Sequence, residues 1–206
     1  MEPKKRSLGA DERDEFLRAA WRKLVCEEID AGRLVFVDEM GSNTALAPLF
    51  AWARRVERAY AKAPRNRGKN TTLLASMSAE GMGACLAVAG SATKAVFESY
   101  VERVLAPSLF AGQVVVMDNL SAHKGERVRE LVEARGCEVL FLPPYSPDLN
   151  PIEEAFSKVK GLLRRAGART REALLEAMGR ALDAVTARDA RGFFGHCGYS
   201  LADQLL

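Results

Sequence analysis

Residues 114–123 have the sequence VVVMDNLSAH, in which a four-residue apolar run ends on Asp118. A continuous run of this kind is typical of a strand that is buried on both faces, as in a parallel sheet. Similar runs at 34–37, 71–77, 82–88 and 139–142 predict four more strands. Because Asp118 directly follows the buried run, this stretch marks both a core strand and the edge at which α/β folds build their sites.

Apolar residues at helical spacing predict helices before, between and after these strands. The first has the stripe Phe16, Leu17, Ala20, Trp21, Leu24 and Val25. The predicted helices lie at about Asp11 to Ile29, before Pro107, after a Ser121 N-cap, from Pro151 and after Thr170, with a short helical piece at about Phe50 to Ala59. The order β-β-β-α-β-α-β-α predicts an α/β fold with a mixed five-stranded sheet flanked by helices and with helical extensions at both ends.

The composition favours one compact domain. The chain has 206 residues, of which 48% are hydrophobic, enough for a sizeable core. Its longest apolar stretches are far shorter than a membrane span, and the charged start, MEPKKR, precedes no apolar signal region, so we expect no membrane association and an intracellular protein. The four cysteines are widely spaced without a C-x-x-C pair, which disfavours a zinc site. We expect an N-terminal extension at 1–32, a catalytic domain at 33–168 and a C-terminal helical tail at 169–206.

Positive charge is concentrated in two segments. The segment 54–69 holds seven basic residues against one acidic residue, and the segment 158–171 holds six basic residues and no acidic one. The remainder of the chain is therefore strongly acidic. Such segregation indicates either surfaces for a polyanion such as DNA or two solvated basic faces. The candidate DNA-binding residues are Arg54, Arg55, Arg58, Arg65, Arg67, Lys69, Lys158, Lys160, Arg164 and Arg165.

Three carboxylates lie where a predicted strand ends or a helix begins: Asp38, Asp118 and Glu153. Asp38 follows four apolar residues, so its charge must be solvated, paired or coordinated. Glu39 is the alternative, but successive strand side chains point to opposite faces, and the strand runs out after it, which favours Asp38. Asp118 could instead serve only to shape the turn that follows its strand.

Glu153 also has a local alternative role, since Asn150 and Glu153 have the spacing of a capping box. The apolar stripe that starts at Ile152 places Glu153 at its border and Glu154 on the opposite side, where Lys158 can pair with Glu154 at i+4. We therefore expect Glu153 to face the sheet and Glu154 to face water. Three acids on separate elements could hold two hard divalent cations, which stabilise the attacking and leaving oxygens of a phosphodiester.

Three stretches of the sequence together indicate the function more specifically than the positions of the three acids do. They are LVFVDEMGSN at 34–43, VVMDNLSAHK at 115–124 and LPPYSPDLNPIE at 142–153. They resemble the three catalytic motifs of bacterial insertion-sequence transposases in the mariner-like superfamily, which are DDE-type enzymes. The 34 residues between Asp118 and Glu153 match the branch that uses Asp, Asp and Glu. The resemblance runs from about Arg33 to Tyr199, and one departure is Phe156, where the family often has Trp.

The resemblance implies a ribonuclease H-like fold and a metal-dependent transposase. Its catalytic domain would cleave phosphodiesters at transposon ends and join the 3′-hydroxyl to target DNA. It further implies two Mg²⁺ (or Mn²⁺) ions, with Asp38 bridging both and with Asp118 and Glu153 each completing one. Asn119 and His123 would be auxiliary residues. We expect His123 to position the substrate or a metal-bound water, with capping of a helix start as the alternative.

The resemblance also implies partners. The expected substrate is DNA, both transposon ends and target, with activity as a homodimer and a cytoplasmic, nucleoid-associated location. The family's helix-turn-helix region has no counterpart before Asp38, so we expect a helix-turn-helix protein or region encoded upstream, as in elements with a split transposase, or a truncated copy. The alternatives are a non-catalytic DNA-binding or assembly module from a partial transposase, or a structure-specific nuclease of the same fold.

Overall fold

The protein is built on a five-stranded mixed sheet with the strand order β3-β2-β1-β4-β5. The structure, a computed structural model, describes residues 13–60, 62, 64, 68–120 and 123–201. The strands are β1 (Leu34–Ser42), β2 (Thr71–Ser78), β3 (Gly81–Ala89), β4 (Val114–Met117) and β5 (Glu138–Phe141). Strands β1, β2 and β3 are antiparallel neighbours, whereas β4 pairs parallel with both β1 and β5. The predicted mixed sheet is confirmed, with β1 at its centre.

Helices cover both faces of this sheet. They are α1 (Glu15–Trp21), α2 (Lys94–Tyr100), α3 (Ala106–Ser108), α4 (Glu126–Glu133), α5 (Pro151–Ala166), α6 (Arg171–Asp183) and α7 (Ala187–His196). One π-helical turn at Arg22–Cys26 continues α1 and another at Val101–Leu105 continues α2. The predicted order β-β-β-α-β-α-β-α is confirmed, followed by two terminal helices. Within the described ranges, no helix is long and apolar enough to span a membrane.

Alternate residues of β1 enter two different cores, as strand geometry requires. Leu34 and Phe36 pack with α5, α6 and α7, whereas Val35 and Val37 pack with α2 and the turn after it. Strand β4 follows the same alternation, with Val116 on the α5 face. The next even-numbered residues of the two apolar runs, Asp38 and Asp118, are therefore on the side of the sheet that faces the N-terminal end of α5.

Two local helix predictions are wrong. Residues 50–59 form a turn rather than a helix, and the Trp52 ring in that segment is fully exposed, so its apolar residues have no core face to organise a helix. Ser121 itself lies outside the described residues, but α4 begins at Glu126 with Gly125 as its N-cap, so the predicted Ser121 cap is also wrong.

The N-terminal helix buries only part of its predicted apolar stripe, of which Trp21 and Val25 are in the core. Phe16 is 82% exposed, and Leu24 is 57% exposed, whereas Arg18 is completely buried beside Trp21. The Arg18 guanidinium donates two hydrogen bonds to the carboxylate of Asp148, at 3.0 and 2.6 Å. This bidentate pair turns the helix because a buried guanidinium must be paired, and the exposed apolar residues follow from that rotation.

The loop before α5 is held by groups from both ends of the described chain. The Trp21 indole donates to the Tyr199 hydroxyl at 2.9 Å, and that hydroxyl donates to the Leu149 carbonyl at 2.6 Å. Together with the bond from Arg18 to Asp148, these contacts fix the 3₁₀ turn Pro147–Leu149. Segments that precede and follow the strands in the sequence therefore hold the loop from which α5 begins.

We predict that removing Asp148 from the Arg18–Asp148 pair destabilises the protein more than removing Arg18 does. Asp148→Ala leaves a buried guanidinium without its main partner and should lower the free energy of unfolding by about 3 kcal/mol. Arg18→Met should cost less, because the Asp148 carboxylate is half exposed and can be rehydrated. Urea unfolding measures both, with Glu27→Ala in the exposed Lys23 pair as a control expected to cost below about 0.5 kcal/mol. Equal losses in the two Arg18 pair variants would contradict the prediction.

Candidate active site

Asp38 and Asp118 are neighbours across the centre of the sheet. Val37 pairs with Met117 in the parallel register of β1 and β4, so the next residues on the two strands are Asp38 and Asp118. Neighbouring strands lie about 4.8 Å apart, and both residues continue the series that faces α5. Glu39 is on the opposite face of β1. Asp38 and Asp118 therefore lie on the same side of the sheet, and Glu39 does not.

One cavity of about 360 Å³ lies over these two residues. Asp38, Asp118 and Glu153 all line it, together with Asn119, Asn150 and the loop at 142–147. The three acids singled out in the sequence are thus brought to one place from β1, from the end of β4 and from the first turn of α5. No lysine or arginine is among the described residues that line the cavity.

The Asp38 carboxylate is nearly buried, with 7% of the residue exposed. Its Oδ1 accepts a hydrogen bond from the Glu39 backbone N–H at 2.7 Å, and its Oδ2 accepts one from the Asn150 side-chain amide at 2.8 Å. Burial is the main cause that raises the pKa of Asp38 to about 7; the Glu39 backbone bond opposes this rise, and the nearby negative charges of Glu153 and Asp118 add to it. The site therefore has an excess of negative charge that a bound cation would relieve.

Asp118 is supported from the other face of the sheet. Its Oδ1 contacts Nδ1 of His123 and accepts a hydrogen bond from the Leu120 backbone N–H at 3.2 Å. His123 is 1% exposed, and its ring lies on Phe97 with centroids 4.1 Å apart. Because Gly125 is the N-cap of α4, the structure favours contact with Asp118 over helix capping as the role of His123.

Glu153 and Glu154 diverge at the start of α5, but not in the predicted way. Glu153 lines the cavity, whereas Glu154 is partly buried and contacts His196 of α7. Lys158 donates to Asp189 at 2.6 Å rather than to Glu154. The prediction that Glu154 faces water and pairs with Lys158 is therefore wrong, because α7 packs on α5 and supplies partners that local spacing does not reveal.

Sequence reasoning missed Asn150 as a residue of this site. Asn150 was expected to cap α5 with its side chain, but the side chain turns instead to Asp38. Only the backbone carbonyl of Asn150 contacts the first turn of α5, where it accepts a hydrogen bond from the Glu153 backbone N–H at 3.1 Å. An Asn that precedes a Pro at a helix start is so common a capping residue that its sequence carries no separate signal for this contact.

Tyr145 forms part of the cavity wall with an unusual backbone conformation. Its φ is +50°, the only positive φ of a non-glycine residue in the described part of the chain. Such conformations persist only where the surroundings impose them, and Pro143, Pro144 and Pro147 restrict the backbone on both sides. The half-exposed phenol ring is thereby held at the rim of the cavity.

The predicted DNA-binding residues fall into three groups. Arg54, Arg55, Arg58 and Lys69 are exposed on the long connection between β1 and β2. Arg65 and Arg67 lie outside the described residues. On α5, Lys160, Arg164 and Arg165 are at least partly exposed, whereas the ammonium group of Lys158 is already paired with Asp189. Lys158 is therefore the least suited of the set to contact phosphate.

The donor set of the cavity fits a hard divalent cation. It consists of carboxylates on three elements, and burial, together with the charges of Glu153 and Asp118, raises the pKa of Asp38. Within the described residues, however, no three His, Cys, Asp or Glu side chains are arranged to hold a metal ion as they stand. Asp118 is turned toward His123, so ion binding would require a carboxylate rotation.

Comparison with known protein families gives a match over most of the chain. Residues 33–175 match the family described as DDE superfamily endonuclease. This range contains all three cavity carboxylates and ends within α6. No curated protein sequence matches the chain significantly.

Several solved structures share the fold. A chain of the Mos1 strand transfer complex has a TM-score of 0.74 and 19% identity over 96% of this protein, which spans 63% of that chain. The Mos1 mariner paired-end complex with Mn has a TM-score of 0.71 and 19% identity, covering 96% of this protein and 64% of that chain. The catalytic domain of Mos1 mariner transposase has a TM-score of 0.58 and 16% identity, with coverages of 89% and 84%. These similarities confirm the predicted ribonuclease H-like fold.

We predict that removing the Asp38 charge stabilises the metal-free protein above neutral pH. Folding raises the pKa of Asp38 from 3.8 to about 7, because the buried site favours the protonated carboxyl over the charged one. The stability that this carboxyl contributes is therefore fully present below pH 3.8, where it is protonated in both states, and it is lost as the pH rises through 7. At pH 8, Asp38→Asn should raise the free energy of unfolding by up to about 4 kcal/mol, at about 1.4 kcal/mol per pKa unit. Urea unfolding in EDTA should show a smaller gain at pH 5.

Asp148→Asn is the matched control, with the opposite sign. The Arg18 guanidinium lowers the pKa of Asp148, so its contribution is present above the unfolded pKa and is lost as the pH falls. Asp148→Asn should therefore destabilise the protein at pH 8. An Asp38→Asn variant no more stable than the unaltered protein at pH 8 would contradict the proposed burial of that charge.

Proposed function

The chain belongs to the DDE superfamily endonuclease family, and on that basis we propose that it is the catalytic domain of a transposase. It would hydrolyse a phosphodiester at a transposon end and join the freed 3′-hydroxyl to target DNA. The observation that carries the proposal is the meeting of Asp38, Asp118 and Glu153 at one cavity, each from a different element and each at its motif position. Because the chain spans only about 63% of the Mos1 transposase chain, the activity of a whole transposase stays a proposal.

The proposed chemistry has two phosphoryl-transfer steps. In the first, water adds to phosphorus and the bond from phosphorus to the 3′-oxygen breaks, leaving a 3′-hydroxyl and a 5′-phosphate. In the second, that 3′-hydroxyl attacks a target phosphodiester and displaces the target's own 3′-oxygen, so one phosphodiester replaces another. Divalent ions, when bound, supply positive charge to the attacking and leaving oxygens.

The residues of the chain have separable tasks in this scheme. Asp38 would contact both ions, while Asp118 and Glu153 would each contact one. Asn150 and the Glu39 backbone orient Asp38, and Nδ1 of His123 contacts the carboxylate of Asp118. The cavity of about 360 Å³ leaves room for a phosphodiester above the carboxylates.

Mg²⁺ or Mn²⁺, bound as two ions, is the cofactor that we propose. The support is the all-carboxylate donor set and the absence of basic residues from the described lining of the cavity. One structurally similar protein, a Mos1 paired-end complex, contains Mn. Asp38, Asp118 and Glu153 would hold these ions, which would supply positive charge to the reacting phosphodiester.

Transposon-end and target DNA are the proposed substrates. The connection between β1 and β2 combines exposed arginines with exposed aromatic rings, Trp52 and Tyr60, and Tyr145 adds a third ring at the cavity rim. Arginines suit phosphates, and aromatic rings suit unpaired bases. We further propose an insertion-sequence origin, a homodimeric active form associated with the nucleoid, a helix-turn-helix protein or region encoded upstream, and domain limits at 33–168.

Metal-dependent nicking tests the catalytic proposal. Asp38→Asn, Asp118→Asn and Glu153→Gln should each reduce Mg²⁺- or Mn²⁺-dependent nicking of supercoiled plasmid at least a hundredfold, because each removes charge from the ion site. Glu154→Gln is the matched control, since it changes a neighbouring acid that contacts His196 outside the cavity, and it should retain activity. Nicking that survives loss of the three acids would contradict their assignment as the catalytic site, whereas tight DNA binding without nicking by the unaltered chain would favour a non-catalytic DNA-binding module.

DNA binding by the isolated chain should be weak and strongly salt-dependent. Engagement of about six phosphates would give a slope of log affinity against log salt near −5. Replacing Arg55 and Arg58 by Ala should reduce the magnitude of that slope by about 2, measured by fluorescence anisotropy with several duplex sequences. The control replaces Arg33, Arg127 and Arg129, exposed arginines paired with glutamates, and should leave the slope unchanged. Discrimination between duplexes of about a thousandfold would contradict binding through phosphates alone.

A further inference from the structure

Asn150 occupies a position that local rules explain poorly. It is 4% exposed at the N-terminus of α5, where an Asn side chain ordinarily accepts a backbone N–H of the first helical turn. Its amide donates to Oδ2 of Asp38 instead, at 2.8 Å. The remaining amide atom, Oδ1, is buried with no hydrogen-bond partner among the described residues. Asn150 thus gives up a capping bond and leaves an acceptor unpaired in order to contact one carboxylate.

The contact completes the support of Asp38. Oδ1 of Asp38 is held by the Glu39 backbone and Oδ2 by Asn150, so both oxygens have a fixed direction. A carboxylate oxygen has two lone pairs, and one donor on each leaves the other free for an ion. The orientation of the carboxylate plane is therefore set by the adjacent residue Glu39 and by Asn150, which lies 112 positions from Asp38 in the sequence.

The charge of the donor also matters. A lysine or arginine at this place would orient Asp38 equally well, but its positive charge would oppose a cation in the same cavity. A neutral amide fixes the carboxylate without that repulsion. Groups of this kind that orient a metal-binding side chain commonly change metal affinity or activity ten- to a hundredfold when they are lost.

We propose that Asn150 is a positioning residue, which holds the Asp38 carboxylate in the orientation that binds a divalent cation. The inference rests on the proposed function of the cavity, and it assigns to the last residue before α5 a role distinct from starting the helix. The loop anchored by Arg18 and Tyr199 then has a purpose beyond stability, because it delivers the Asn150 amide to β1.

Asn150→Ser separates this role from a structural one. Serine caps helices as well as asparagine does, but it is too short to reach Asp38. If Asn150 serves only to start α5, the variant should match the unaltered chain in melting temperature and in Mn²⁺ affinity. If it positions Asp38, Mn²⁺ affinity measured by calorimetry on the DNA-free 206-residue chain should fall about tenfold or more, with the melting temperature in EDTA nearly unchanged.

Two further variants make the result decisive. Tyr199→Phe removes the bond to the Leu149 carbonyl but leaves the Arg18–Asp148 pair, which still holds the loop. It should therefore lower the melting temperature while Mn²⁺ affinity stays within twofold. Asp38→Asn should abolish Mn²⁺ binding. In single-turnover nicking, Asn150→Ser should lower the rate at saturating Mn²⁺ and leave the DNA concentration for half-maximal rate unchanged.

The outcomes distinguish the two proposals. Normal Mn²⁺ affinity in Asn150→Ser, with loss in Asp38→Asn, would overturn the positioning role and leave the proposed function intact. Equal losses of affinity in Asn150→Ser and Tyr199→Phe would also overturn it, since loop integrity would then be the cause. Absence of Mn²⁺ binding by the unaltered chain would overturn the proposed function, and the role of Asn150 with it.

Discussion

The buried carboxylate of Asp38 is the group around which the rest of the structure is arranged. A negative charge at the centre of a sheet loses its water and must be compensated by donors from the protein or by a cation. Only one donor comes from its own strand, the Glu39 backbone. The second must come from the loop before α5, and its delivery depends on Arg18, Trp21 and Tyr199. These three residues lie outside the matched family range of 33–175, so the terminal segments support the site from outside the part of the chain that defines the family.

The two aspartates are supported from opposite layers of the fold. Asp38 receives its Asn150 donor from the α5 side, whereas Asp118 is contacted by His123, which lies against Phe97 of α2. The sheet therefore separates two supporting groups while it keeps the two carboxylates at adjacent register positions. Each of the two acids is thus oriented by a different neighbouring side chain.

The distribution of charge complements this site. The cavity is lined by acids and neutral groups, while the exposed arginines lie on the connection after β1 and on α5. A polyanionic substrate would be attracted by these basic surfaces but repelled by the acids at the centre. Under the proposed function, bound cations would offset this repulsion at the centre of the cavity. Lys158 is excluded from this surface by its pairing with Asp189.

The sequence by itself determined the order of the elements and the three cavity acids, because strand alternation and motif spacing are local properties that persist in the fold. It also favoured Asp38 over Glu39, and of these two residues Asp38 is the one that lines the cavity. It could not place Asn150, Glu154 or Arg18, for which the tertiary structure was decisive. Each of these side chains is oriented by a partner more than 40 residues away, and helix capping, i+4 pairing and apolar spacing describe only the nearest neighbours. The physical reason is that a buried or partly buried polar group takes the strongest available partner, and packing alone decides which partner is within reach.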